Sequence, residues 1–255
     1  SLFDEVLRYA ARSSDVALRE GADIIHAHDW LSYPAGMAAK KALGVPLVAH
    51  VHATEFDRTG FGIPDQRVYD IERAGMHAAD MVVAVSEYTK GVIVEKYGIA
   101  PEKVMVLHNG IDADDTAVAS AVESDMKRLK ESGWGVVLFV GRLTIQKGPD
   151  YFLATARKVL EHKPKTLFVV SGSGDMARQM IDTGAYHGLG DKILYTGFVR
   201  GKELARLYKT ADLVVMPSVS EPFGIVPLEA LLNGIPVLIS KQSGVAEVVP
   251  TALKA

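Results

Sequence analysis

The chain has 255 residues, 48% of them hydrophobic and 23% charged, with 28 basic against 31 acidic residues and a formal net charge of −3. A balance so near neutrality excludes a broad polyanion-binding surface, so nucleic acid is not expected as a partner. The absence of cysteine excludes a disulfide framework and thiolate chemistry, and with no bilayer-length apolar run and no signal peptide a cytoplasmic protein is expected.

Residues 2–20 carry helical periodicity, with Leu2, Val6, Val16 and Leu18 apolar among charges. A short strand is predicted over 23–28, a helix over 33–43 closed by Gly44, a buried strand over 45–52 and a loop over 54–64. A helix over 66–79, a strand over 81–86, a helix over 88–97 and a strand over 104–108 follow. The polar stretch 112–132 lacks a core pattern and reads as a linker, then a surface helix. Strands are then predicted over 135–140, 166–170, 193–195, 213–216 and 237–239, and helices over 150–162, 174–188, 202–210, 225–233 and 245–249. Strand–helix alternation with continuously apolar strands is the pattern of a parallel sheet covered on both faces. The expected fold class is α/β, with two Rossmann-like doubly wound domains over 1–113 and 134–255, joined by 114–133. Ligands of such domains sit at the carboxyl ends of the strands, and two facing domains make a cleft.

Four strand ends in the second half hold the residue types that handle phosphates and hydroxyls. Gly141-Arg142-Leu143-Thr144-Ile145-Gln146-Lys147-Gly148 places two cations five residues apart across a loop. They either converge on one phosphate group or are solvated loop charges. Ser171-Gly172-Ser173-Gly174-Asp175 is a small-residue turn into a helix, open to close approach by a phosphate or sugar and equally common as a plain turn. Gly197-Phe198-Val199 is either a nucleobase contact or a turn. Glu221-Pro222-Phe223-Gly224 is a tight turn, and the helix from Ile225 places Glu221 at its mouth and Glu229 one turn inside. The alternative is a capping acid and a surface charge. Two cations, two carboxylates and several glycines at one sheet edge form a stronger signal than any one of them.

The first half contributes histidines. His26 and His28 are two apart on one strand, and His50 and His52 on the next, so each pair shares a face. A metal site is open to them with Asp29, Glu55 or Asp57, but no His-Glu-x-x-His or comparable spacing supports one, and none is expected. The alternative is that His26 and His50 are packed inside and His28 and His52 reach the ligand. His52, ahead of a glycine-containing loop, is the better candidate for a substrate contact.

In this order G-R-L-T-I-Q-K-G, S-G-S-G-D, Y-T-G-F-V and S-V-S-E-P-F-G-I-V-P-L-E-A-L-L-N-G-I-P-V resemble the donor-binding half of family 4 retaining glycosyltransferases with the GT-B fold, glycogen-synthase-like enzymes among them. H-A-H-D-W, H-V-H-A-T-E-F-D-R, A-V-S-E-Y-T and H-N-G-I-D resemble that family's acceptor-side domain, so the likeness covers nearly the whole chain. The resemblance implies that Arg142 and Lys147 bind the diphosphate of a nucleotide-sugar and stabilise it as it leaves. It implies that Glu221 meets the donor sugar's hydroxyls, with the backbone of Phe223, Gly224 and Ile225 holding sugar and phosphate. Gly141, Gly172, Phe198 and Val199 line the donor, Glu229 binds the ribose hydroxyls, and His52 sits beside the reacting centre. It further implies retention at the anomeric carbon, no metal and no cofactor. The donor is expected to be UDP- or ADP-glucose and the acceptor a glycan.

Family members are longer at both ends, beginning with a strand and a glycine-rich loop and ending with a helix that crosses back. The first domain is therefore expected to be incomplete and the chain a fragment of a longer reading frame. Two other readings stay open: a sugar-nucleotide or phospho-sugar enzyme on the same fold, and a non-catalytic nucleotide- or glycan-binding fragment. The first visible strand-to-helix turn has no G-x-G-x-x-G, which weighs against a dehydrogenase.

Overall fold

The computed structural model describes residues 1–111 and 124–249; of the predicted linker and surface helix over 114–133, residues 114–123 lie outside the described residues. Chain contacts group into two units, Ser1–Asn109 with the stretch from Glu247, and Gly110–Ala246.

The first unit runs α1 (Leu2–Glu20), β1 (Ile25–His28), α2 (Asp29–Leu43), β2 (Leu47–Val51), α3 (Glu55–Arg58), α4 (Gln66–Ala78), β3 (Met81–Ala84), α5 (Glu87–Tyr97) and β4 (Val104–Val106). The strands are parallel and pair in chain order, β1-β2-β3-β4. One face buries Ala27, Leu47, Ala49, Val51, Val82 and Ala84 against Trp30, Tyr33 and Met76. Side chains alternate along a strand, so the other face carries His26, His28, Val48, His50 and Met81.

Two elements depart from expectation here. Helix α2 starts at Asp29, four residues before the predicted start. Pro34, which favours a first turn, sits deeper because burying Trp30 and Tyr33 outweighs that preference. The predicted loop over 54–64 contains α3, one turn closed by a reciprocal cap between Thr54 and Asp57.

The second unit runs α6 (Ser124–Glu131), β5 (Gly135–Val140), α7 (Pro149–His162), β6 (Thr166–Ser171), α8 (Ala177–Tyr186), β7 (Ile193–Gly197), α9 (Lys202–Thr210), β8 (Leu213–Met216), α10 (Val226–Leu232) and β9 (Val237–Ile239). All five strands are parallel, in the order β7-β6-β5-β8-β9. This sheet is doubly wound. Phe139 and Phe168 face α7 and α8, packing with Phe152, Ala156 and Met180. Val136, Leu138 and Val169 face the other way, against Tyr208 of α9 and Ala230 of α10. A 3-10 turn, Gly244–Glu247, stands where a helix over 245–249 was predicted. No helix among the described residues is long and apolar enough to cross a membrane.

Candidate functional site

Strand order locates the site before any side chain is considered. The chain leaves β5 toward β6 on one side and later returns to β8 on the other. The loops after β5 and β8 therefore diverge, and a crevice opens at their carboxyl ends. Those loops hold Gly141 to Gly148 and Pro217 to Gly224.

Backbone hydrogen bonds continue past the strands and tie these loops together. Gly141 N–H donates to the Ser171 carbonyl (3.0 Å), Leu143 to Ser173 (2.9 Å) and Gly172 to Gly197 (2.8 Å). On the other side Val219 N–H donates to the Gln146 carbonyl (2.9 Å) and Glu221 N–H to Gln242 (2.8 Å). The approach is too close for side chains at three positions, Gly148 among them, where a Cβ would lie 2.3 Å from the Pro217 carbonyl oxygen. A Cβ on Gly172 would lie 1.8 Å from the Gly141 carbonyl oxygen, and one on Gly174 would lie 2.3 Å from that of Leu143. Helix α8 starts at Ala177 and not at Gly174 as predicted, and Met176 N–H just before it donates to the Leu143 carbonyl (3.0 Å). The glycines of three predicted turns, Gly141, Gly172 and Gly197, are thus side by side along one rim.

The charged residues divide into an anchored set and an open one. Lys147 Nζ and Glu221 Oε2 are 2.5 Å apart, with both side chains largely buried. Ser218 Oγ donates to the same oxygen at 3.1 Å. Glu221 Oε1 has no hydrogen-bond partner among the described residues. Arg142 is exposed and makes no ion pair among them. Glu229 repeats the arrangement of Glu221: Tyr208 Oη donates to its Oε2 at 2.6 Å, and Oε1 has no hydrogen-bond partner among the described residues. Burial, then the neighbouring carboxylate, raises the Tyr208 hydroxyl well above its ordinary value, so it stays a donor.

Glu221 was expected at a helix mouth and Glu229 one turn inside. The structure gives Glu221 side-chain partners from two loops, and Glu229 lies in the first turn of α10. That helix begins at Val226, and its N-cap residue Ile225 supplies no side-chain hydrogen bond. Phe223 is buried at 2% exposure, under the loop. Ile225 is exposed, as is Phe198 at 71% beyond the end of β7, with Val199 half-buried next to it. Ser218 and Tyr208 escaped the sequence reading. Ser218 stands three residues before Glu221, a spacing that allows a local side-chain bond. A tyrosine buried on an apolar helix face needs a partner for its hydroxyl, but sequence does not say which.

His52 lies in the first unit, just past β2, whereas Arg142, Lys147 and Glu221 lie in the second. Its backbone N–H donates to Asp29 Oδ1 at 2.8 Å. Asp29 adopts φ 58, a left-handed conformation that aspartate tolerates better than most residues. The loop after His52 is pinned from below. Arg58 Nη1 meets Glu72 Oε1 at 2.7 Å, Glu55 N–H donates to Glu72 Oε2 at 3.0 Å, and the Tyr97 hydroxyl donates to Glu72 as well.

The four histidines form one stack. Ring centroids are 4.4 Å apart for His26–His28, 4.2 Å for His50–His52 and 5.1 Å for His28–His50. His28 Nδ1 and His52 Nε2 are 2.9 Å apart. Of the alternative that packs both His26 and His50 inside, the His50 half holds and the His26 half is corrected: His50 is buried and His26 is exposed. Burial, then the neighbouring imidazoles, lowers His50 to about 4. The carboxylates offered as co-ligands are otherwise engaged. Asp29 holds His52, Asp57 accepts from Thr54, and Glu55 accepts from the Asp65 N–H.

The family model described as Glycosyl transferases group 1 matches residues 122–252, and that described as Glycosyltransferase Family 4 matches residues 2–115. The chain is similar to a glycosyltransferase of Methanocaldococcus jannaschii, at 35% identity over 233 residues, covering 89% of this chain and 60% of that protein. It is also similar to the glycogen synthase of Mycobacterium tuberculosis, at 31% identity over 230 residues, covering 89% of this chain and 54% of that one. The chain thus spans little more than half the length of the curated relatives it matches. Among solved structures, Anabaena HepE in complex with UDP and glucose superposes with a TM-score of 0.77 at 24% identity, over 94% of this chain and 65% of that one. Sucrose-phosphate synthase from Thermosynechococcus elongatus superposes with a TM-score of 0.81 at 21% identity, over 98% of this chain and 64% of that one. These structural likenesses concern the fold. With one family model over each unit, the chain belongs to the group 1 glycosyl transferases and has the GT-B fold.

Proposed function

We propose that the chain is the greater part of a retaining glycosyltransferase that moves a hexosyl group, glucosyl in the first instance, from a nucleotide diphosphate sugar to a glycan. The second unit, 134–255 in this reading, is the donor-binding domain, and 1–113 is the acceptor-side domain. The observation that carries the proposal is the anchoring of Glu221. One carboxylate oxygen is fixed by Lys147 and Ser218, and the other is left to accept hydroxyls.

The chemistry follows from the donors and acceptors present. Lys147 Nζ has three protons and spends one on Glu221, so it can hold a phosphate oxygen without releasing its partner. Arg142, with no ion pair among the described residues, adds a planar fork for the same diphosphate. As the bond from the anomeric carbon to the diphosphate oxygen breaks, both cations meet the charge that develops on the leaving group. The acceptor oxygen bonds to that carbon on the same face, and its proton passes to the departing diphosphate. Glu221 Oε1 takes sugar hydroxyls and Glu229 Oε1 the ribose hydroxyls. The rim of Gly141 and Gly172 lets the donor approach the backbone, and the backbone from Phe223 through Gly224 to Ile225 holds sugar and phosphate. Phe198 and Val199 lie against the base. His52 is assigned to the reacting sugar by family resemblance. Two cations at the leaving group make a divalent metal unnecessary for the transfer. UDP- and ADP-glucose are the donors of choice: solved structures similar to this one carry UDP-glucose in HepE and ADP in starch synthase IV of Arabidopsis thaliana.

The test is a thermal-shift and calorimetric panel of UDP, ADP, GDP and their glucose conjugates, followed by a transfer assay to glucan. A ligand that binds only the folded chain raises its melting temperature. If no nucleotide stabilises the protein and Glu221→Ala changes nothing, the proposal fails. Binding without transfer would reduce it to a binding fragment.

A further inference from the structure

The transferase reading leaves one buried group without a purpose. His50 is 8% exposed, and neither of its ring nitrogens has a hydrogen-bond partner. A buried polar atom left without a partner is costly, because it gives up its water and gains nothing in return. Here two fall on one ring, at the centre of a histidine stack. Parallel pairing of β1 and β2 places His28 opposite His50 and His26 one step back on the same face.

We propose that His26, His28 and His50 bind a divalent transition-metal ion of the zinc class. One nitrogen from each of the three lies within 4.8 Å of the others. A tetrahedral ion with bonds of about 2.0–2.1 Å needs those nitrogens roughly 3.4 Å apart. His26 and His28 are exposed, while His50 is buried. A fourth position falls to water. The donor set is all imidazole, because Asp29, Glu55 and Asp57 are committed to backbone N–H groups. Imidazole nitrogen selects Zn2+, Ni2+ or Cu2+ over Mg2+ and Ca2+. The site lies wholly on the first unit and is not required for sugar transfer, so it stands independently of the proposed activity.

The test uses the untagged chain, stripped with chelator and titrated with Co2+ and then Zn2+. The expected result is stoichiometric Co2+ binding with the visible absorption of a nitrogen-ligated ion, reversed by Zn2+ and unaffected by Mg2+. His26→Ala and His28→Ala should each weaken binding by at least about tenfold, since even outer-shell partners of a metal site cost that much. His162→Ala, exposed on α7, should leave it unchanged. Because His26 is exposed, its alanine variant keeps the fold, checked by circular dichroism. Absence of saturable Co2+ binding overturns the proposal. So does binding that is the same in both variants as in the unaltered chain.

Discussion

Lys147 Nζ and Glu221 Oε2 meet at 2.5 Å although 74 residues separate them in sequence. The pair joins the loop after β5 to the loop after β8 and so bridges the crevice at the point where the sheet changes direction. Removing Lys147 leaves a buried carboxylate with only Ser218 as a partner. Lys147→Met should therefore cost about 1–3 kcal/mol of stability, and Lys147→Met/Glu221→Gln should recover much of that. Urea unfolding of the two single variants and the double variant measures the coupling. Additive losses would show that the pair is not coupled.

The same lysine should separate phosphate from nucleoside. Lys147→Ala is expected to weaken UDP binding by about tenfold, or roughly 1.4 kcal/mol, with uridine affinity unchanged. Calorimetry with both ligands decides the matter, and equal losses would remove Lys147 from the phosphate.

Tyr208 holds one oxygen of Glu229 and so fixes where the other points. Tyr208→Phe keeps the ring and its packing and removes only the donor. It should reduce the preference for UDP over 2′-deoxy-UDP by roughly three- to tenfold, at a stability cost of about 1 kcal/mol. A variant that is less stable but keeps its full ribose preference would confine Tyr208 to packing.

Gly172→Ala places a methyl group on the Gly141 carbonyl, where only a backbone shift relieves the contact. A loss of more than about 3 kcal/mol is expected. Gly190→Ala, with open space around its Cβ, should stay within about 0.5 kcal/mol. Chemical denaturation of the two variants compares them directly.

Glu72 is 3% exposed at its side chain and serves Arg58, Tyr97 and the Glu55 N–H together. Glu72→Ala should cost about 3–5 kcal/mol, because Arg58 is left without its buried partner. Hydrogen exchange of the amides over 53–59 should speed up with it. Unchanged exchange there would separate Glu72 from the loop that follows His52.

Much of the second unit was legible in its sequence. The strands over 135–140, 213–216 and 237–239 and the helix over 202–210 match their predicted bounds, because apolar runs and amphipathic stripes are local signals. The start of α2 was not legible, since it depends on which surface Trp30 and Tyr33 find to bury against. The predicted site residues of the second unit lie on loops at one sheet edge, as strand alternation implies, except Glu229, which lies in the first turn of α10. What Glu221 and Glu229 touch was hidden, because Lys147 and Tyr208 reach them only through the fold. The histidines show the same limit. Spacing put each pair on one face, but the register of β1 on β2 decided that the pairs stack and that His50 is the buried one.

The hydrogen bonds that run past the strand ends bear on how such an enzyme changes its substrate over evolutionary time. Gly141, Gly172, Gln146, Val219 and Glu221 are held through main-chain atoms, which no substitution of an exposed neighbour removes. Phe198 is 71% exposed at the edge of this lattice, so its side chain is not part of that frame. Under the proposed donor site, mutational drift at Phe198 would then retune which base is accepted, on an unchanged frame.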